Sequence, residues 1–200
     1  MDKSLFLLGG SPWINLLNTL VMHNKQPTDL LADPEMMGQW LAANQLLPES
    51  HFPLDEAAYE PLRASLAAVR ELCTRILSDL ESSGELSGAS FSLLKEHVER
   101  LNIELTASLE GGKPTLLYTG QTSFDGILYT ILSSVFSTLN HVNADRIRKC
   151  EHEDCILHFI DVSKSGKRRW CSMESCGNRN KAAQFYDKTR KQRSSAKSSR

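Results

Sequence analysis

Two pairs of cysteines near the C-terminal end constrain this chain more than any other feature. Cys150 and Cys155, then Cys171 and Cys176, spell C-x4-C, fifteen intervening residues, C-x4-C. Zinc takes four thiolates at about 2.3 Å in a tetrahedron, and two short loops can supply two each. Two disulfides, four separate core cysteines or an iron–sulfur cluster would use the same residues. A chain without a secretory signal meets a reducing compartment, which disfavours disulfides. The acidic and basic neighbours suit core cysteines poorly, and nothing else in the sequence asks for electron transfer. The spacing therefore predicts one structural zinc ion, because four protein ligands leave no open position for water or substrate. His152 lies inside the first loop and could ligate only by displacing a cysteine. His158, in ILHFIDV, reads as a half-exposed strand residue. The fifth cysteine, Cys73, falls on the apolar stripe of a helix and reads as a buried hydrophobe.

The charge around these cysteines is lopsided. From Lys164 onward there are 12 Lys or Arg against Glu174 and Asp187, a balance of +10. The chain total of 23 basic and 24 acidic residues leaves 11 and 22 for residues 1–163, a balance of −11. Such a division points to an anionic partner at the C-terminal end. No apolar run approaches the roughly 20 residues of a membrane span. The opening MDKSLFLLGG, with one lysine and a four-residue apolar run, is too weak for a secretory signal, so a cytoplasmic protein is expected.

Helical patterning dominates residues 1–145. Ser11-Pro12 opens a helix expected to carry Trp13, Ile14, Leu17, Leu20 and Val21. Asp33-Pro34 repeats the signal before Met36, Met37, Trp40 and Leu41. A longer helix aligns Leu62, Leu66, Val69, Cys73, Ile76, Leu77 and Leu80 and stops at ESSGELSG. Phe91, Leu94, Val98, Leu101 and Leu105 make another stripe. LTASL and TLLYT flank EGGKP as a β-hairpin. Thr122 and Asp125 then form a capping box opening a helix with Ile127, Leu128, Ile131, Leu132, Val135 and Leu139 inside. The expected fold is mainly α. A helical N-terminal domain with a β-hairpin, residues 1–145, precedes a small four-cysteine finger of β-hairpin plus C-terminal helix, residues 146–193. Residues 194–200, small, polar and basic, are expected to be a disordered tail.

The segment CEHEDCILHFIDVSKSGKRRWCSMESCGNRNKAAQFY resembles a CGNR zinc finger, whose name matches Cys176, Gly177, Asn178 and Arg179. PWINLLNTLV and DLLADPEMMGQWLAANQLL resemble the ABATE domain that precedes this finger in bacterial proteins. The resemblance implies a family regarded as stress-induced transcription regulators, with DNA binding inferred from the basic finger.

The stretch after Cys176 reads as a helix. At 100° per residue Ala182, Phe185 and Tyr186 gather on one side and are expected to dock, with Lys181, Gln184, Lys188 and Lys191 outward. Candidate nucleic-acid contacts are Lys167, Arg168, Arg169, Arg179, Lys181, Lys188, Arg190, Lys191 and Arg193. For Arg179 a brace within the finger is an equal alternative, and Trp170 reads as packing around the metal loop. Such lysines grip phosphate without reading sequence, so DNA is the leading partner and RNA a second. A protein adaptor, docking its basic end on an acidic partner or on its own acidic part, is the third reading. Homo-oligomerisation is compatible with each. An enzyme is disfavoured, since no phosphate loop, His-Glu-x-x-His motif or nucleophile elbow is present. Asn15 and Asn18 either line a small-molecule pocket or are solvent-facing or helix-packing asparagines.

Overall fold

The computed structural model describes residues 3–23, 25–47 and 54–198. Among these, six α-helices and three two-stranded antiparallel hairpins give the expected mainly α fold. The central helix is α3 (Glu56–Ser83), where Asp55 accepts from the Ala58 N–H and left-handed Gly84 ends the helix. Its stripe, from Leu62 through Cys73 to Leu80, is buried against α1 (Pro12–Leu17) and α5 (Ser123–His141). Burial pushes the Cys73 thiol up to about 12, which makes it a packing group. Asp33 caps α2 (Pro34–Ala43), and the Trp40 indole donates to Asn15 O at 3.2 Å. The reciprocal Thr122–Asp125 capping box opens α5 as expected.

Two helical expectations are corrected. Leu20 and Val21 are not on α1, which ends at Leu17. They lie in β1 (Leu20–His23), paired with β2 (Gln26–Asp29). Thr19 decides this. Its hydroxyl donates to Leu16 O at 2.7 Å, and its carbonyl accepts from Leu30 N at 2.9 Å instead of continuing the helix. Arg70 of α3 then grips Asp29 in a bidentate pair at 2.7 and 2.6 Å and donates to Thr19 Oγ1. Likewise α4 (Gly88–Glu99) stops before Leu105, and of its stripe only Leu94 is fully buried, with Phe91 and Val98 exposed.

Leu105 belongs to β3 (Ile103–Glu110), paired with β4 (Lys113–Gly120). Gly111 and Gly112 both have positive φ, as a two-residue type I′ loop requires. The last hairpin, β5 (Ile147–Lys149) with β6 (His158–Ile160), starts the cysteine region yet is built into the helical core. Ile147 and Ile160 are buried with the residues of α1, α3 and α5. Ile160 N donates to Gly9 O, and the Asn18 amide clamps the His158 backbone, accepting from its N–H and donating to its carbonyl, both at 2.8 Å. The chain therefore changes character near residue 145 while its core runs on across that point.

The final helix, α6 (Asn178–Ser198), continues into the segment expected to be a tail, and residues 199–200 lie outside the described set. Its expected docked face is also corrected: Ala182, Phe185 and Tyr186 are all exposed, because α6 projects from the finger instead of lying on the body.

Candidate metal centre

Each cysteine pair is bent toward the same point by its own loop. Cys150 leaves β5 with its N–H bonded to Leu157 O, and a tight turn through His152 O brings back Cys155. Glu151 N donates to Arg169 O, which lays the second loop beside the first. Ser172 then caps a single π-helical turn, Met173–Gly177, that carries Cys176 inward and passes directly into α6. Gly177 is closely packed: a Cβ there would meet Met173 Sδ at 2.5 Å, the movable end of an exposed side chain, and Trp170 Cδ1 at 3.3 Å. Asn178 Nδ2 donates to Glu174 O and ties the first turn of α6 to that π turn.

The four sulfurs of Cys150, Cys155, Cys171 and Cys176 all lie within 4.8 Å of one another. Cys155 to Cys171 is 3.8 Å and Cys171 to Cys176 is 3.7 Å. Zinc–sulfur bonds of about 2.3 Å in a tetrahedron put sulfurs roughly 3.8 Å apart, so the cluster fits one zinc ion. Disulfides, at about 2.05 Å, do not fit these distances, and all five cysteines are free. Left to themselves, the sulfurs resist sharing charge. A hydrogen bond from Cys171 holds Cys155 at about 5, the same contact pushes Cys171 up, and burial pushes Cys176 up to about 12. A divalent cation at the centre favours all four thiolates and releases their protons. The Cys171 N–H pointing at Cys150 Sγ, 3.4 Å away, supplies outer-shell support of the kind that steadies thiolates. Around the sulfurs pack Phe159, Leu8, Leu157 and Trp170. Neither histidine joins the cluster: the His158 ring turns to Glu81, Nε2 to Oε1 3.5 Å.

A second organising group carries no local signal in the sequence. Asp161 is buried at the end of β6, where Oδ1 accepts from Ser163 N and Oδ2 from Arg168 N, both at 2.9 Å. Ser163 first, then the Arg168 N–H and the nearby Arg146 charge hold its carboxyl down at about 2. Arg146 donates to the carbonyls of Asp161 and Ser163. The loop from 161 to 168 is thus wrapped around one carboxylate, which sets the path into the second cysteine pair. Nothing in the local spacing marks Asp161 as different from the surface aspartates.

The basic residues divide by environment. Arg168 faces inward, its guanidinium donating to Trp170 O and Cys171 O and lying 4.3 Å over the Phe159 ring. These contacts brace the metal loop. Arg169 is paired with Glu151 and stacked on Trp170. Lys167, Arg179, Lys181, Lys188 and Arg190 are exposed. No ion pair involves any of these five among the described residues, and the side chains of Lys191 and Arg193 lie outside that set. Arg179 stands at a cavity of about 230 Å³ walled by Phe6, Val21, Leu30 and Leu157. Asn15 and Asn18 are buried and engaged. Asn15 accepts from Gly9 N and donates to Asn44 Oδ1, and Asn18 holds β6.

Two family models cover this arrangement. One, described as "Putative stress-induced transcription regulator" and named ABATE, matches residues 10–121, more than half of the chain. The chain belongs to the ABATE family. The second, the CGNR zinc finger, matches residues 146–189, from the turn before β5 into α6, and contains all four clustered cysteines. No curated protein matches the chain. In this ABATE-family chain the four cysteines would fill every position of one zinc ion and leave none open for water or substrate, which is the pattern of a structural site. No helix among the described residues is long and apolar enough to cross a membrane.

Proposed function

We propose that this protein is a regulator that grips nucleic acid, DNA foremost, with α6 and the exposed cations beside it. The observation that carries the reading is the exposure of Lys181, Lys188, Arg179 and Arg190, without an ion pair among the described residues, on a helix whose first turn is anchored at the cysteine cluster. Residues 178–198 hold seven Lys or Arg against one aspartate. A helix so charged gains little from its own side chains, because its sequence offers one acidic residue among seven basic ones. Phosphates offset that excess of charge, so binding and helix order reinforce each other. Cations occur around the helix, which suits backbone contacts more than base reading. The metal holds the start of α6 in a fixed direction and takes no part in chemistry, so the role is binding and not catalysis. The acidic helical body is the part left to sense a signal or assemble partners.

The test is binding of labelled duplex DNA and single-stranded RNA over a series of salt concentrations. Changing Lys181 and Lys188 together to glutamine should weaken all duplex sequences alike and flatten the log–log salt slope by about 1.8, two contacts at about 0.9 each. Binding of RNA but not duplex would move the reading to an RNA module. Binding of neither at low salt would leave an adaptor for an acidic protein.

A further inference from the structure

The register of the β3–β4 hairpin sorts its side chains into two unlike faces. On one lie Ile103, Leu105, Ala107 and Leu109 with their partners Gly120, Tyr118, Leu116 and Pro114, a face with no polar side chain except the tyrosine hydroxyl. On the other lie Glu104, Thr106, Ser108 and Glu110 with Thr119, Leu117, Thr115 and Lys113. Alternation of this kind, interrupted by Leu117 alone, marks a sheet with one covered face. Here the apolar face is uncovered: Leu105 is 58%, Leu109 74%, Leu116 59% and Tyr118 51% exposed. Tyr118, stacked on Tyr129 of α5, marks where the hairpin meets the body. Beyond it the arm reaches outward by five residues per strand, about 17 Å at 3.3 Å each.

An isolated two-stranded ribbon is marginal in water, and a bare apolar strand face with both edges open is an aggregation site unless something covers it. We propose that a second copy of this chain covers it, the apolar face of each hairpin lying on the body of the other copy in a two-fold exchange. Area favours this occupant. Full burial of a large apolar side chain removes roughly 60–120 Å² from water. The hairpin face therefore offers on the order of 400 Å², half of the about 800 Å² per partner in a stable interface. A one-sided partner would bury only that patch. A reciprocal exchange uses two patches per copy, one given and one received, and reaches the full area. The body has a matching seat in Phe91 and Val98, exposed and seven residues apart on one side of α4. The charged groups Glu104 and Lys113 lie on the opposite face of the arm and are exposed.

Sedimentation equilibrium of the full zinc-loaded chain, without nucleic acid, tests this independently of the nucleic-acid reading. The wild type is expected at twice the chain mass across micromolar concentrations. Leu105→Lys with Leu116→Lys should give single chains while zinc content and helical circular dichroism stay unchanged. Leu109→Lys, near the exposed tip, should do the same if the double variant folds poorly, and Leu117→Lys on the opposite face should remain dimeric. A wild type that stays a single chain would overturn the proposal. So would a folded Leu109→Lys that stays dimeric, or a Leu117→Lys that dissociates equally.

Discussion

An asparagine amide carries a donor and an acceptor in one plane, and Asn18 commits both to the backbone of His158, 140 positions away. Asn18→Ala should leave a part-buried N–H and C=O unmatched, at about 1–3 kcal/mol each. Calorimetry should find the unfolding midpoint lowered by several degrees, and an unchanged midpoint would mean the clamp is idle. Asp29 allows a pH test away from the sulfurs. Its bidentate hydrogen bonds from Arg70 lower its folded pKa, so its contribution is present above the unfolded value near 3.9 and fades as pH falls through the lower folded value. Asp29→Asn should therefore trail the wild type in thermal stability at neutral pH, with the gap closing in acid. A gap that stays constant with pH would show that charge is not its source. The four cysteines were legible because their pairs are close in sequence and chemically distinctive. Asn18, Asp161 and Arg168 were not, because their partners are backbone atoms that any residue could supply.

Elements with strong local signals could be read directly: α3 by its stripe and left-handed Gly84, α5 by its capping box, and β3–β4 by a loop that needs positive φ twice. The end of α1 was misread because Leu20 and Val21 keep helical spacing, while the strand they occupy depends on pairing with β2. The α6 face was misread for a related reason: Phe185 and Tyr186 have the spacing of a docked stripe, and spacing does not say whether a surface is there to receive it. The junction of β4 and α5 offers a sharp test. A Cβ on Gly120 would stand 2.2 Å from Gly126 N and 2.7 Å from Thr122 O, both backbone atoms of the capped turn. Gly120→Ala should cost on the order of 3 kcal/mol by denaturant titration, within the range of severe substitutions. A loss below about 0.5 kcal/mol would show that the junction yields freely.

At the scale of the whole molecule, metal and core are mechanically joined, since β5–β6 lies between the sulfur cluster and the main core. Chelation should therefore lower the thermal midpoint followed at helical wavelengths by several degrees as well as disordering the finger. Unfolding of the helices that ignored zinc would show two independent units. Cys171→Ser should behave like chelation and should lower the one zinc per chain expected by elemental analysis. Sequence composition shows a division of charge near residue 163, and that division is real, but it hides a hydrophobic continuity that only packing reveals. The Asn18 clamp and the Gly9 carbonyl have a bearing on heredity. Residues 146–189 match a family model of their own, yet that span leaves behind both groups that hold β6. Grafted onto an unrelated protein, residues 146–189 alone would arrive without either group that holds β6, and a transfer that also carries residues 9–18 would bring both.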